Sequence, residues 1–124
     1  MPSFQFDHIH HETADIGAAI SFYRRVFDAD AEEPFERGGA TWIRVRVGDL
    51  MIVVTNREAR AMARERYLGL DHFAVQTDNF EETLRRLKEK GIAFWAGPVQ
   101  LESGQRLVFI EAPDGMKIEI LEAV

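Results

Sequence analysis

The sequence predicts an α+β fold in which one unit of strand, helix and further strands is used twice. Three observations predict it. Phe6-Asp7-His8-Ile9-His10-His11 returns 64 residues later as Leu70-Asp71-His72-Phe73-Ala74-Val75. An acidic or amide residue stands seven positions past each leading His (Asp15, Asn79), and an apolar one follows it (Ile16, Phe80). Each half also closes on a similar phrase, Gly48-Asp49-Leu50-Met51-Ile52 and Asp114-Gly115-Met116-Lys117-Ile118. The period is longer than that of solenoid repeats, which points to duplication inside one domain. That domain spans 1–124, with module one over about 1–56, a linker helix over about 57–67 and module two over about 68–124.

Phe4, Phe6, His8, His10 and Glu12 alternate with Gln5, Asp7, Ile9, His11 and Thr13, so a strand here presents His8 and His10 on one face and His11 on the other. Asp15 then reads as the N-cap of a helix whose apolar residues Ile16, Ala19, Ile20, Tyr23 and Phe27 recur at spacings of three and four. Residues 28–38 are acidic and irregular. Thr41 to Val47 alternates strictly, with Ile43, Val45 and Val47 against Trp42, Arg44 and Arg46, and Gly48-Asp49 turns the chain into Leu50 to Val54. Arg57 to Tyr67 is a charged, short helical pattern joining the halves.

The second half repeats the order. Asp78-x-x-Glu81 forms a capping box ahead of Phe80, Leu84 and Leu87, and Gly91 closes the helix. Trp95 to Pro98 reads as irregular, and Leu107–Glu111 and Lys117–Leu121 form a last hairpin around Pro113-Asp114-Gly115.

Composition narrows the function. At 124 residues and 46% hydrophobic the chain can bury one core and is too short for two independent domains. No window approaches the roughly 18 to 20 consecutive apolar residues of a membrane span, and Met1-Pro2-Ser3 begins no basic segment followed by an apolar run. The expectation is a soluble, cytoplasmic protein with no membrane partner. A net charge of −6 argues against nucleic acid. Without any Cys, a metal must be held by His and carboxylate.

Asp7-His8-Ile9 followed by Asp15-Ile16 and Ser21-Phe22-Tyr23, then Asp71-His72-Phe73-Ala74-Val75, then Pro113-Asp114-Gly115-Met116-Lys117-Ile118-Glu119, resemble in order and spacing the vicinal oxygen chelate superfamily. That superfamily includes glyoxalase I, extradiol dioxygenases, methylmalonyl-CoA epimerase and the fosfomycin and bleomycin resistance proteins. The resemblance covers nearly the whole chain. It implies two tandem βαβββ modules whose curled mixed sheets surround a metal-binding cavity, and in many single-domain members a homodimer. It places the metal ligands on His8, His72 and Glu119. Two imidazoles and one carboxylate suit one divalent ion such as Fe²⁺, Mn²⁺, Ni²⁺ or Zn²⁺.

The chain departs from glyoxalase I and the epimerase at their fourth ligand, a Glu or Gln in the last strand of the first module. Here that position falls on Val53, or on Val54 if the turn is counted differently, and neither binds a metal. Two His and one Glu are the set of extradiol dioxygenases and fosfomycin resistance proteins. Three open positions on a six-coordinate ion admit a small substrate through two adjacent oxygens, with room for water or O₂. The resemblance therefore implies dioxygenase-type or lyase/isomerase-type chemistry, with a metal-free, bleomycin-resistance-like sequestering protein as the alternative.

Trp42, Met51, Val53, Leu107 and Phe109 would make an apolar pocket wall that suits a carbon-rich substrate better than a phosphonate. His10 shares the face of His8 and can take or give a proton there, or bond to a neighbouring strand. Arg44 can hold a substrate carboxylate through two N–H groups. Arg46 has Glu111 opposite it by the repeat.

Overall fold

A computed structural model describes residues 3, 5–59 and 69–124. The chain divides into two compact units, Met1–Arg60 and Ala61–Val124. The first holds β1 (Ile9–Glu12), α1 (Ile16–Phe27), β2 (Asp30–Ala31), β3 (Phe35–Arg37), β4 (Ala40–Val47) and β5 (Leu50–Thr55). β1 runs parallel to β5, β5 antiparallel to β4, and β2 and β3 both pair with β4. The second unit holds β6 (Phe73–Thr77), α2 (Phe80–Glu89), β7 (Phe94–Gln100), β8 (Arg106–Glu111) and β9 (Lys117–Glu122), in sheet order β6-β9-β8-β7 with β6 parallel to β9. This is the predicted α+β architecture of two modules with mixed sheets. Among the described residues no helix is long and apolar enough to cross a membrane.

Register makes the duplication quantitative. Ile9 lies beside Ile52 on the β1–β5 pair, and Phe73 beside Ile118 on the β6–β9 pair. Met51 and Lys117 are therefore equivalent positions, as are Val53 and Glu119. The position without a ligand is Val53, not Val54. Its parallel neighbour is His10, where Glu119 has Ala74.

In each sheet alternate side chains face a core. Val45, Ile52 and Val54 are fully buried, as are Ala19 and Tyr23 of α1, which packs on β4 and β5. In the second unit Val108, Ile110, Ile118 and Ile120 are buried, with Phe80 and Leu87 of α2. The opposite face is left to Trp42, Arg44, Met51 and Val53 in one unit and to Leu107, Phe109, Lys117 and Glu119 in the other.

Several local expectations are corrected. β1 begins at Ile9, so residues 5–8 precede the strand, and His72 likewise precedes β6. The parallel ladders begin at Ile9 opposite Ile52 and at Phe73 opposite Ile118, so each leading His lies one residue before the first rung. Residues 28–38, read as irregular, contain β2 and β3. Gly38 (φ 60) and Gly39 (φ 79) allow the two-residue reversal that lays Arg37 against Ala40. Trp95 to Pro98 belongs to β7, an edge strand on which Pro is tolerated, and its irregularity survives as register shifts against β8.

Asp15 caps α1 as expected, accepting from the Ala18 N–H at 3.0 Å. The cap of α2 is Asn79 rather than Asp78, because its side chain accepts from the Glu82 N–H at 3.1 Å and a cap must sit three residues before the donor it receives. Most of the helix read over 57–67 lies outside the described residues, and Arg57, Glu58 and Ala59 are not helical.

Acid should weaken the fold in a defined window. On α2, Arg85 and then Arg86 hold the Glu82 carboxyl down to about 2 from 4.5, and Arg106 pulls Glu122 below its ordinary value. Folded pKa values below unfolded ones mean that the unfolded chain binds more protons, so stability falls as pH falls. Urea midpoints should hold above about pH 6.5, fall slightly below it because burial also holds His10 under its ordinary value, and decline further from about pH 4.5 towards pH 2. Because the Glu82 side chain is 37% exposed and screened by solvent, Glu82→Gln should lessen that decline only slightly. A midpoint that rises on acidification would contradict this account.

Candidate metal centre

In the second unit the chain brings His72 and Glu119 together. Their side chains meet at 3.0 Å, Nε2 to Oε1, across 47 residues of sequence. The register explains the meeting. Glu119 sits between Ala74 on β6 and Phe109 on β8, and the small Ala74 leaves room on the side from which His72 enters. The Phe109 ring packs against the His72 imidazole in a T-shaped contact, with centroids 4.9 Å apart at 89°.

The other ring nitrogen of His72, Nδ1, lies 2.8 Å from Asp71 Oδ2. That oxygen also receives the Lys117 ammonium at 2.7 Å. Lys117 first and His72 second hold the Asp71 carboxyl down to about 2. A carboxylate accepting from Nδ1–H fixes the ring and leaves the Nε2 lone pair to a ligand, the usual support of a metal-binding His.

The first unit repeats half of this. His8 Nδ1 lies 2.7 Å from Asp7 Oδ2, and within its unit Nε2 meets no partner among the described residues. His8 lines a cavity of about 680 Å³ together with Asp7, Trp42, Arg44, Met51 and Val53. Arg37, Arg46, Glu32, Asp49 and Phe6 complete the lining. The Arg44 guanidinium lies over the Phe35 ring, 5.0 Å from its centroid, and Phe35 stacks on Trp42.

His10 stands beside that cavity, next to Val53 on the sheet, but does not line it. Its Nε2 lies 2.6 Å from Thr55 Oγ1 on β5 and 3.3 Å from Glu12 Oε1, and its ring is tilted against Trp42 at 5.5 Å. Burial, more than any neighbouring charge, pushes its pKa below the ordinary value. Glu12 is in turn bound by the side chain and the backbone N–H of Arg57. His11 points the other way, as the alternation predicts, and is buried with Nδ1 2.9 Å from the Tyr23 hydroxyl.

The donor chemistry fits a divalent ion. Two donors each about 2.1 Å from a metal and at right angles to one another lie about 3.0 Å apart, the separation of His72 Nε2 and Glu119 Oε1. Within neither unit do three such donors converge among the described residues. His72 and Glu119 are two of the three ligands that the resemblance implies; the third, His8, is likewise backed by an Asp within its own unit. Leu107 and Phe109 share the face of Glu119. Sequence reasoning assigned no role to Asp7, Asp71 or Lys117. The repeated Asp-His dipeptide was the available signal for the two aspartates, whereas nothing local marks Lys117.

A family model described as the Glyoxalase/Bleomycin resistance protein/Dioxygenase superfamily matches residues 5–120. The lactoylglutathione lyase of Salmonella typhimurium is 40% identical over 55 residues, a match covering 42% of this chain and 39% of that protein's length. That match therefore spans well under half of the curated relative. Among solved structures, a glyoxylase/bleomycin resistance protein/dioxygenase domain from Frankia sp. EAN1pec superposes with a TM-score of 0.82 at 17% identity, over 99% of this chain and 100% of that one. FosX from Listeria monocytogenes, a fosfomycin resistance protein complexed with Mn(II) and sulfate, gives 0.76 at 17% identity, over 100% and 95%. At these identities the structural likeness concerns the fold.

Proposed function

Since the chain belongs to the Glyoxalase/Bleomycin resistance protein/Dioxygenase superfamily, we propose that it is a metal-dependent enzyme binding a small substrate through two adjacent oxygens on one divalent ion. The ligands are His8, His72 and Glu119, and the ion is Fe²⁺, Mn²⁺, Ni²⁺ or Zn²⁺. The observation that carries this reading is the His72–Glu119 pair at 3.0 Å, with Nδ1 of His72 held by Asp71 and the same Asp–His contact repeated at Asp7 and His8. When bound, the ion supplies Lewis acidity to the oxygens attached to it. The homodimer implied by the resemblance is part of the same proposal.

The chain's own residues supply the rest. Trp42, Met51, Val53, Leu107 and Phe109 offer apolar surface to a carbon-rich substrate. Arg44, its plane resting on Phe35, presents N–H groups to a carboxylate. His10 has one nitrogen on Thr55 and offers the other as a proton carrier. With Val53 in place of the fourth ligand, proton transfer cannot use a carboxylate there, so dioxygenase-type chemistry, or a lyase or isomerase step using another base, is the proposed reaction. The partial match to lactoylglutathione lyase supports the second branch.

The test is turnover after anaerobic loading with Fe²⁺, Mn²⁺, Ni²⁺ and Zn²⁺ in turn. Oxygen uptake with catechols reports the first branch, and hemithioacetal isomerisation without oxygen consumption reports the second. Arg44→Met should reduce the preference for carboxylate-bearing over uncharged substrates by about 10-fold to 100-fold, the worth of a hydrogen bond to a charged group. Binding of a carbon-rich ligand with no metal requirement and no turnover would replace the enzyme by a sequestering protein.

A further inference from the structure

We propose that Lys117 is a positioning residue for His72, acting through Asp71 to aim the imidazole at Glu119. Three contacts run in series within the second unit: Lys117 Nζ to Asp71 Oδ2 at 2.7 Å, the same Oδ2 to His72 Nδ1 at 2.8 Å, and His72 Nε2 to Glu119 Oε1 at 3.0 Å. One carboxylate oxygen is therefore shared by an ammonium and an imidazole. It cannot rotate away from the ring without breaking an ion pair.

Lys117 is not an ordinary surface lysine. Its side chain is only 15% exposed, and its ammonium lies 5.4 Å from the Trp95 ring centroid and 5.5 Å from that of Phe109, the ring that also packs on His72. Burying an ammonium is costly unless it is paired, and here Asp71 and the two rings receive it, with Glu111 as its cross-strand neighbour. The first unit provides the comparison. Asp7 makes the same contact to His8, but the position equivalent to Lys117 is Met51, and Asp7 is 91% exposed against 48% for Asp71. An Asp–His contact thus forms without the lysine. What the lysine adds is a fixed carboxylate, and with it a fixed ring.

The inference rests on the metal reading only for its consequence at the ion, so two readouts separate them. In metal-free, ¹⁵N-labelled protein, the His72 ring hydrogens should exchange more slowly than those of His8. Lys117→Met, which installs the residue of the first unit, should bring the two to similar rates, and Lys117→Arg should largely restore the difference. The same Lys117→Met change should weaken Mn²⁺ binding by up to about 10-fold, the lower end of the loss when the direct partner of a ligating His is removed, because Asp71 itself stays. Circular dichroism confirms that each variant is folded, and Lys117→Gln replaces Lys117→Met if that one is not. Ring exchange unchanged in a folded Lys117→Met or Lys117→Gln protein would overturn the inference. Failure of the natural sequence to bind Mn²⁺ would instead remove the metal reading and leave Lys117 to be judged by ring exchange alone.

Discussion

Glu119→Ala and His72→Ala should each lower affinity for Mn²⁺ or Ni²⁺ by more than about 100-fold, exceeding the loss that follows removal of an outer partner. Each change deletes one donor of the pair that meets at 3.0 Å, and the remaining donors leave the ion largely to water. Elemental analysis after loading and gel filtration should find about one ion per chain in the natural sequence and almost none in either variant. The metal-free fold should respond little, because Glu119→Ala removes one partly exposed hydrogen bond and His72→Ala two, each worth about 1 kcal/mol. Equal metal content in the natural sequence and both variants would sink the ligand assignment.

Ile118→Ala should have the largest effect on stability, a loss of about 3 to 4 kcal/mol. The Ile118 side chain is fully buried, and truncation removes its transfer free energy and leaves a cavity that neighbours on two strands cannot fill without moving. Urea unfolding should show a lower midpoint with an unchanged slope. Because Ile118 and Glu119 are adjacent on β9 and face opposite sides, the variant also asks whether core packing holds the ligand in register. A loss below about 1 kcal/mol would mean that the site collapses freely, contrary to the close packing argued for this face.

Both helices were legible because apolar residues at spacings of three and four can bury only one stripe of a helix, and Asp15 stands where a cap is needed. β4 and β5 were legible for a similar reason, since strict alternation around Gly48-Asp49 admits one pairing of faces. The limits of β1 and β6 were not legible, since the first rung of a parallel ladder is set against a partner strand more than 40 residues away. For the same reason two short strands were hidden in residues 28–38: their few residues have no period of their own and pair only because β4 offers an edge.

The sequence by itself determined the duplicated α+β fold, the buried faces and the family to which the chain belongs, because repeat, periodicity and turn chemistry are local and survive without coordinates. Only the tertiary structure decided that Val53 rather than Val54 lies at the place of Glu119, that His10 turns to Thr55, and that Lys117 grips the carboxylate behind His72. Each of these depends on a contact across more than 40 residues of chain, such as the 47 separating His72 from Glu119. Strand register and the direction of a side chain set such contacts, and residue order alone carries neither.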